Sequence, residues 1–347
     1  MTRRKWLVGM LVGFVGLIGL AGCSGGDSQP QGDGKTIRIG VSIPAATHGW
    51  PAGVGWWAEQ TIAKYPDIQW QFQRASNARE QASQIETMLV KGVDALVVLP
   101  FDSDTAIPAI ERAKEQGVFV VSVDRGLSKP VADVYVAGDN RAFGRESAKY
   151  MAEKLGGKGN IVILRGLPVE IDQERFSAAM EVFNQHPEIK VLGAQPGNWN
   201  RKDAHAVMQN FLTQFDKIDA VWAADDDMAL GVEQAIREAG RQDQIWIFGG
   251  AGMKDIVKKV LDKDPMFPAD VTYPPGMIAA GIELAVAQMR EGDYVEAHDN
   301  IHEHLGVTRQ QLEAVKAQEQ GQKSLTLDVH LITPENAEKY YFPDSVY

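Results

Sequence analysis

From position 36 onward, short apolar runs alternate with stretches of helical spacing. Strands are predicted at 37–42, 68–73, 95–99, 119–123 and 134–136, and again at 160–164, 190–194, 220–223, 245–248 and 269–273. Several are near-continuous apolar runs rather than alternations. That is the pattern of strands covered by helices on both faces, as in a parallel sheet. Between them, apolar residues recur three and four positions apart. Ile85, Met88 and Leu89 share one face of a helix at 80–91. Ile107, Ile110 and Ala113 do so at 104–116, and Ala229, Val232 and Ile236 at 228–239, where Gly240 is a natural stop. Further helices are predicted at 277–290 and 308–320, with a final strand at 326–332. Alternation of this kind gives doubly wound α/β sheets. The pattern runs twice, over about 36–137 and 141–270, with a tight join at 138–140.

The first residues follow a different pattern. Arg3, Arg4 and Lys5 precede an uncharged apolar stretch, 7–20, that is short for a membrane span. It ends in Leu20-Ala21-Gly22-Cys23, which resembles the bacterial lipobox, and Cys23 is the single cysteine of the chain. Residues 1–22 are therefore expected to be a lipoprotein signal peptide, and Cys23 the lipidated residue. Residues 23–35 read as a flexible tether, because 24–34 offers no apolar side chain to a core. Loss of the three leader cations takes the formal charge from −11 to −14. So acidic a protein is a poor partner for nucleic acid.

The runs IRIGVSIP (37–44), GVDALVVLPFDSD (92–104), VVSVDRG (120–126), VAGDN (136–140), VWAADDDMALG (221–231) and ADVTYPP (269–275) carry a family resemblance. In order and spacing the chain resembles the periplasmic solute-binding proteins of the ribose/galactose-binding type. The resemblance implies an α/β fold of two Rossmann-like lobes with parallel sheets, joined by a three-crossover hinge near 138–140, 272–275 and 325–331. The N-terminal lobe would comprise 36–138 plus 274–325, and the C-terminal lobe 139–273 plus 326–347, with 300–323 as a surface insertion. It further implies a monomer at the cell surface or in the periplasm. Held by its lipid anchor, it would close on a sugar or polyol and pass it to an ABC transporter permease. No cofactor is expected.

A sugar or polyol is covered with hydroxyls, each both donor and acceptor. A closed site must replace their water, because a buried polar group left unpaired costs about 1–3 kcal/mol. Carboxylates and guanidinium groups do this best, and aromatic rings cover the carbon skeleton. Asp124 and Arg125 follow a strand and supply acceptors and a donor fork. His48 and Trp50 follow the first strand. Trp199 follows the strand at 190–194, and Asp225 the strand at 220–223. By the resemblance, these residues together with Arg175 and Thr272 contact the ligand, and Trp50 and Trp199 sandwich it from opposite lobes. Asp225-Asp226-Asp227 does not read as a metal site, because adjacent carboxylates point apart and no His or Cys stands beside them. One departure stands out. Where many relatives have Phe-Asp-Gly, this chain has Phe248-Gly249-Gly250, so a strong hydroxyl acceptor is missing.

Three other functions compete. The same fold serves as a sensor that presents its solute to a chemoreceptor or histidine kinase. An enzyme would need a nucleophile elbow, a HExxH helix, a phosphate loop or a dinucleotide fingerprint, and the sequence has none of these. A transcription regulator would need a DNA-binding helix pair where the apolar leader stands.

Overall fold

The computed structural model describes residues 36–46 and 49–347. The leader, the tether, Cys23 and His48 lie outside the described residues.

The first strands are the apolar runs of the sequence, with ends shifted by no more than two residues. They are β1 (Arg38–Pro44), β2 (Gln69–Ala75), β3 (Ala95–Val98), β4 (Phe119–Val123) and β5 (Val134–Gly138). Between them lie α1 (Gly49–Ile62), α2 (Ala78–Val90) and α3 (Ile107–Glu115). The second series is α4 (Asn140–Lys154), β6 (Lys158–Arg165), α5 (Glu170–Phe183), β7 (Glu188–Pro196), α6 (Arg201–Gln214), β8 (Ala220–Ala223), α7 (Asp226–Glu238) and β9 (Trp246–Phe248). After it come α8 (Lys254–Leu261), β10 (Asp270–Val271), α9 (Met277–Glu291), α10 (Arg309–Lys316), β11 (Ser324–Leu327) and β12 (Leu331–Ile332). Every residue of β3 and of β8 is buried, as their unbroken apolar sequences require.

Two parallel sheets result. One has the order β11-β5-β4-β3-β1-β2, the other β7-β6-β8-β9. The chain passes between them three times: from β5 into α4, from β10 into α9, and from β11 into β12. The last two crossings lie side by side, because β10 and β12 pair antiparallel. Helix α9 is buried from Met277 through Ala287 and packs against β3, β4 and β5. Within it the carboxylate of Glu283 meets Lys64 at 3.1 Å and accepts from the Tyr65 hydroxyl, since a buried charge without partners is costly.

The helix expected over 308–320 is shorter, Arg309–Lys316, the strand expected over 269–273 is only Asp270–Val271, and two further differences have a visible cause. The helix expected from 104 begins at Ile107. Asp102 instead accepts from the Asp104 and Thr105 amides at 3.0 and 2.7 Å, so the side chain holds the backbone in a turn. The strand expected over 326–332 is two strands. His330, between them, pairs with Thr272 of the neighbouring crossing rather than continuing a ladder.

Candidate functional site

The carboxyl ends of both sheets point toward the crossings, where open α/β sheets hold ligands. Asp124 follows β4 and is buried, with φ at 62°. Non-glycine residues seldom adopt that left-handed backbone. Two bonds hold it there: the Asp124 amide donates to the Val136 carbonyl at 2.8 Å, and the Tyr135 hydroxyl donates to the Asp124 carbonyl at 2.5 Å. The side chain is thereby aimed at the second crossing, where the Tyr273 hydroxyl donates to Asp124 Oδ1 at 2.9 Å. Burial pushes the Asp124 carboxyl above its ordinary value, while the Tyr273 bond and the Arg125 and Arg175 cations pull it back.

Arg175, on α5 of the second series, reaches the same place. Its guanidinium lies between the Phe143 and Tyr273 rings, 4.1 and 4.3 Å from their centres. Its Nε donates to Asn140 Oδ1 at 2.9 Å. The stacked cation has fixed direction and is almost wholly buried, which suits it to ordered recognition of hydroxyls. Trp50, in the first turn of α1, tilts against the Tyr273 ring at 6.0 Å, and its Nε1 donates to the Tyr273 carbonyl at 2.8 Å. Arg125 turns aside and donates to the Pro100 and Phe101 carbonyls of the loop after β3.

The three consecutive aspartates diverge. Asp225 caps α7, accepting from the Met228 amide at 3.1 Å. Asp226 accepts from the Gly250 and Met253 amides, each at 2.7 Å. Asp227 pairs with Arg201 at 2.9 Å. Burial, then repulsion from Asp226, pushes the Asp225 carboxyl up to about 8. Burial likewise raises Asp226 and its hydrogen-bonded neighbour Asp270, the latter to about 7. This acid pair explains Gly249. A Cβ there would stand 2.2 Å from Asp226 Oδ1 and 3.4 Å from Asp270 Oδ1. Carboxyls from α7 and β10 thus fill the space that a side chain at 249 would need.

Trp199 lies in the loop after β7, with φ at 53° and the preceding Asn198 at 56°. Its indole covers Gly166, whose Cβ, had it one, would be 2.0 Å from the ring. Thr272 sits in the second crossing. Its Oγ1 accepts from the His330 amide at 2.9 Å, so its hydroxyl oxygen serves the hinge. Asp124, Arg175 and Trp50 therefore converge on Tyr273, and Asp225 lies within electrostatic reach of Arg175. Tyr273, Asn140 and Phe143 complete this cluster, and sequence reasoning did not single them out as contacts. The position of Tyr273 directly after a hinge strand was the available signal.

Two parallel sheets, three crossings and a polar cluster at their junction are the architecture of a type I periplasmic binding protein. Residues 39–293 match the periplasmic binding protein domain family, and the chain belongs to that family. The chain is 36% identical over 255 residues to the xylitol-binding protein of Mycolicibacterium smegmatis, covering 73% of this chain and 71% of that one. It is 33% identical over 222 residues to the ribose import binding protein RbsB of Bacillus subtilis, covering 64% and 71%. Among solved structures, an ABC transporter periplasmic solute-binding protein from Actinobacillus succinogenes with bound D-allose aligns with a TM-score of 0.73 at 26% identity. That alignment covers 88% of this chain and 100% of that one.

Proposed function

We propose that this protein captures a sugar or polyol outside the cytoplasm, by closing its two sheets on the solute, and delivers it to an ABC importer. The observation that carries the reading is the Asp124–Tyr273–Arg175 cluster. One element of each sheet and one hinge crossing there meet in a buried, hydrogen-bonded group. Asp124 and Arg175 offer an acceptor and a donor fork to adjacent hydroxyls, and Asp225 offers a second acceptor from the far side. The Trp50 and Trp199 rings supply apolar faces. Contacts from both sheets are made together only in the closed form, so the solute shifts the hinge by its extra affinity for that form.

Likeness to the xylitol-binding relative supports a polyol in particular. Where the resemblance leads one to expect the acid of Phe-Asp-Gly this chain has Gly249, and the neighbouring Asp226 and Asp270 carboxyls accept from the backbone amides of Gly250, Met253 and Gly252. The sequence Leu20-Ala21-Gly22-Cys23 supports a lipid anchor at Cys23. No residue of the cluster need form or break a covalent bond.

A thermal-shift screen of the purified protein against pentoses, hexoses, linear polyols and inositols tests the reading. A solute at a hundredfold over its Kd stabilises by about 2.7 kcal/mol and raises the melting midpoint. No shift with any of them would refute the proposal.

A further inference from the structure

On either side of Tyr273 in the chain, Thr272 and Pro274 line a small concavity with room for about one water molecule. Thr272, Ala251 and Gly252 line it from the hinge side, and Trp57 of α1 from the other. The segment after β12 closes it with Tyr347. Ala251 holds φ at 111°, a backbone that non-glycine residues rarely adopt.

Two of the lining residues carry a polar atom that is nearly inaccessible and unpartnered among the described residues. These atoms are the Tyr347 hydroxyl and His304 Nε2, on residues 3% and 5% exposed. Leaving either so in the functional state would cost about 1–3 kcal/mol. The cavity has the size of a single hydroxyl group. Such a group accepts from the Tyr347 O–H and meets His304 with its own proton or lone pair.

The position of Tyr347 is firmly set. Its Cβ would lie 2.7 Å from a Cβ built on Gly53, so α1 offers it a close seat. Two residues before it, the Ser345 carbonyl accepts from Lys254 of α8. The segment thus touches a helix from each half of the molecule. Thr272 in the wall directly precedes Tyr273 of the main cluster, and the Tyr347 hydroxyl feels the carboxyl of Asp225. The cavity and the main cluster are thus joined through adjacent residues of the hinge.

We infer that this cavity is a subsite for one hydroxyl of the bound solute, and that Tyr347 is a specificity-determining contact within it. The inference rests on the sugar or polyol reading above.

The test compares the wild-type protein with Tyr347→Phe, which removes only the oxygen. Calorimetric titration uses xylitol, D-ribose, D-allose and D-xylose, with Asp124→Asn as a reference variant. For the sugar or polyol that binds, Tyr347→Phe should weaken affinity roughly five- to tenfold. The melting midpoint without solute should hold or rise, because an unpartnered buried group has been removed. Unchanged affinity in Tyr347→Phe alongside a clear loss in Asp124→Asn would overturn the subsite and leave the main reading intact. So would a lowered solute-free midpoint with unchanged affinity, which would make the oxygen structural. Folded wild-type protein that binds none of the four probes would bring down both.

Discussion

The two ends of the junction are built on opposite principles. Around Asp124, cations and donors are arranged about one acid: Tyr273 donates to it, and Arg125 and Arg175 lower the cost of its charge. Around Asp225, acids crowd one another. Burial raises both Asp226 and Asp270; the Asp270 carboxyl pushes Asp226 up further, while the hydrogen bond with Asp226 draws Asp270 partly back, and both stand near Asp225 and Tyr347. The first end is assembled before any solute arrives and needs little reorganisation to bind. The second carries uncompensated burial, which hydroxyl donors of a solute would relieve. On the proposed reading, recognition at the first end would be by preorganised charge, and at the second by relief of an unfavourable ground state.

The largest effect should come from breaking the balanced end. Asp124→Asn removes a charged acceptor worth about 1.5–3 kcal/mol, so solute affinity should fall roughly 10- to 100-fold by calorimetry. Arg175→Met should do the same and also loosen Tyr273, visible as altered tyrosine fluorescence. An Asp124→Asn variant that binds as the wild type does would remove the distinction between the two ends.

At the crowded end, Gly249→Asp is expected to destabilise rather than restore a missing contact. Its Cβ would meet Asp226 Oδ1 at 2.2 Å, and a third carboxyl would enter an acid pair. Overpacking of this kind costs about 1–3 kcal/mol. A melting midpoint several degrees lower should result, and an unchanged midpoint would show that Asp226 has room to move.

Stability should also depend on pH through that end. Burial pushes the Asp225 and Asp270 carboxyls up to about 8 and about 7 in the folded protein, from an ordinary value of 3.8. Folding therefore favours their protonated forms. The resulting stability is full below pH 4 and is lost as pH rises through 7 to 8. The solute-free protein should melt lower at pH 9 than at pH 5, and Asp270→Asn should flatten the slope. A rising midpoint over the same interval would contradict the crowding.

The smallest expected effect is at Trp199. Trp199→Ala removes a ring contact worth about 0.5–1.5 kcal/mol, so affinity should fall roughly three- to tenfold, with loss of any solute-dependent tryptophan signal.

The sheets were legible because their strands are unbroken apolar runs, and that signal survives without knowledge of partners. That Asp124 and Asp225 stand at strand ends facing the junction was legible from the strand pattern, although Asp225 also caps α7. Tyr273 was not legible as a partner of Asp124, since a tyrosine between a hinge strand and two prolines reads equally well as packing. Asn140 was masked by Asp139, which takes the cap of α4 and makes the pair look like an ordinary helix start. Arg125 has the right chemistry and the right strand end, yet its guanidinium is taken by backbone carbonyls that no local pattern foretells. Tyr347 depends on how the segment after β12 folds back onto Gly53, a contact nearly three hundred residues distant. Helix α3 started late because Asp102 found a local use for its oxygens, a competition that apolar periodicity does not register.

The most direct measurement is a crystal structure of the protein with whichever sugar or polyol raises its melting midpoint furthest. The account predicts one molecule at the junction, its hydroxyls within hydrogen-bond distance of Asp124 and Arg175 at one end and of Asp225 at the other. A solute bound to one sheet alone, or anywhere away from Tyr273, would contradict it.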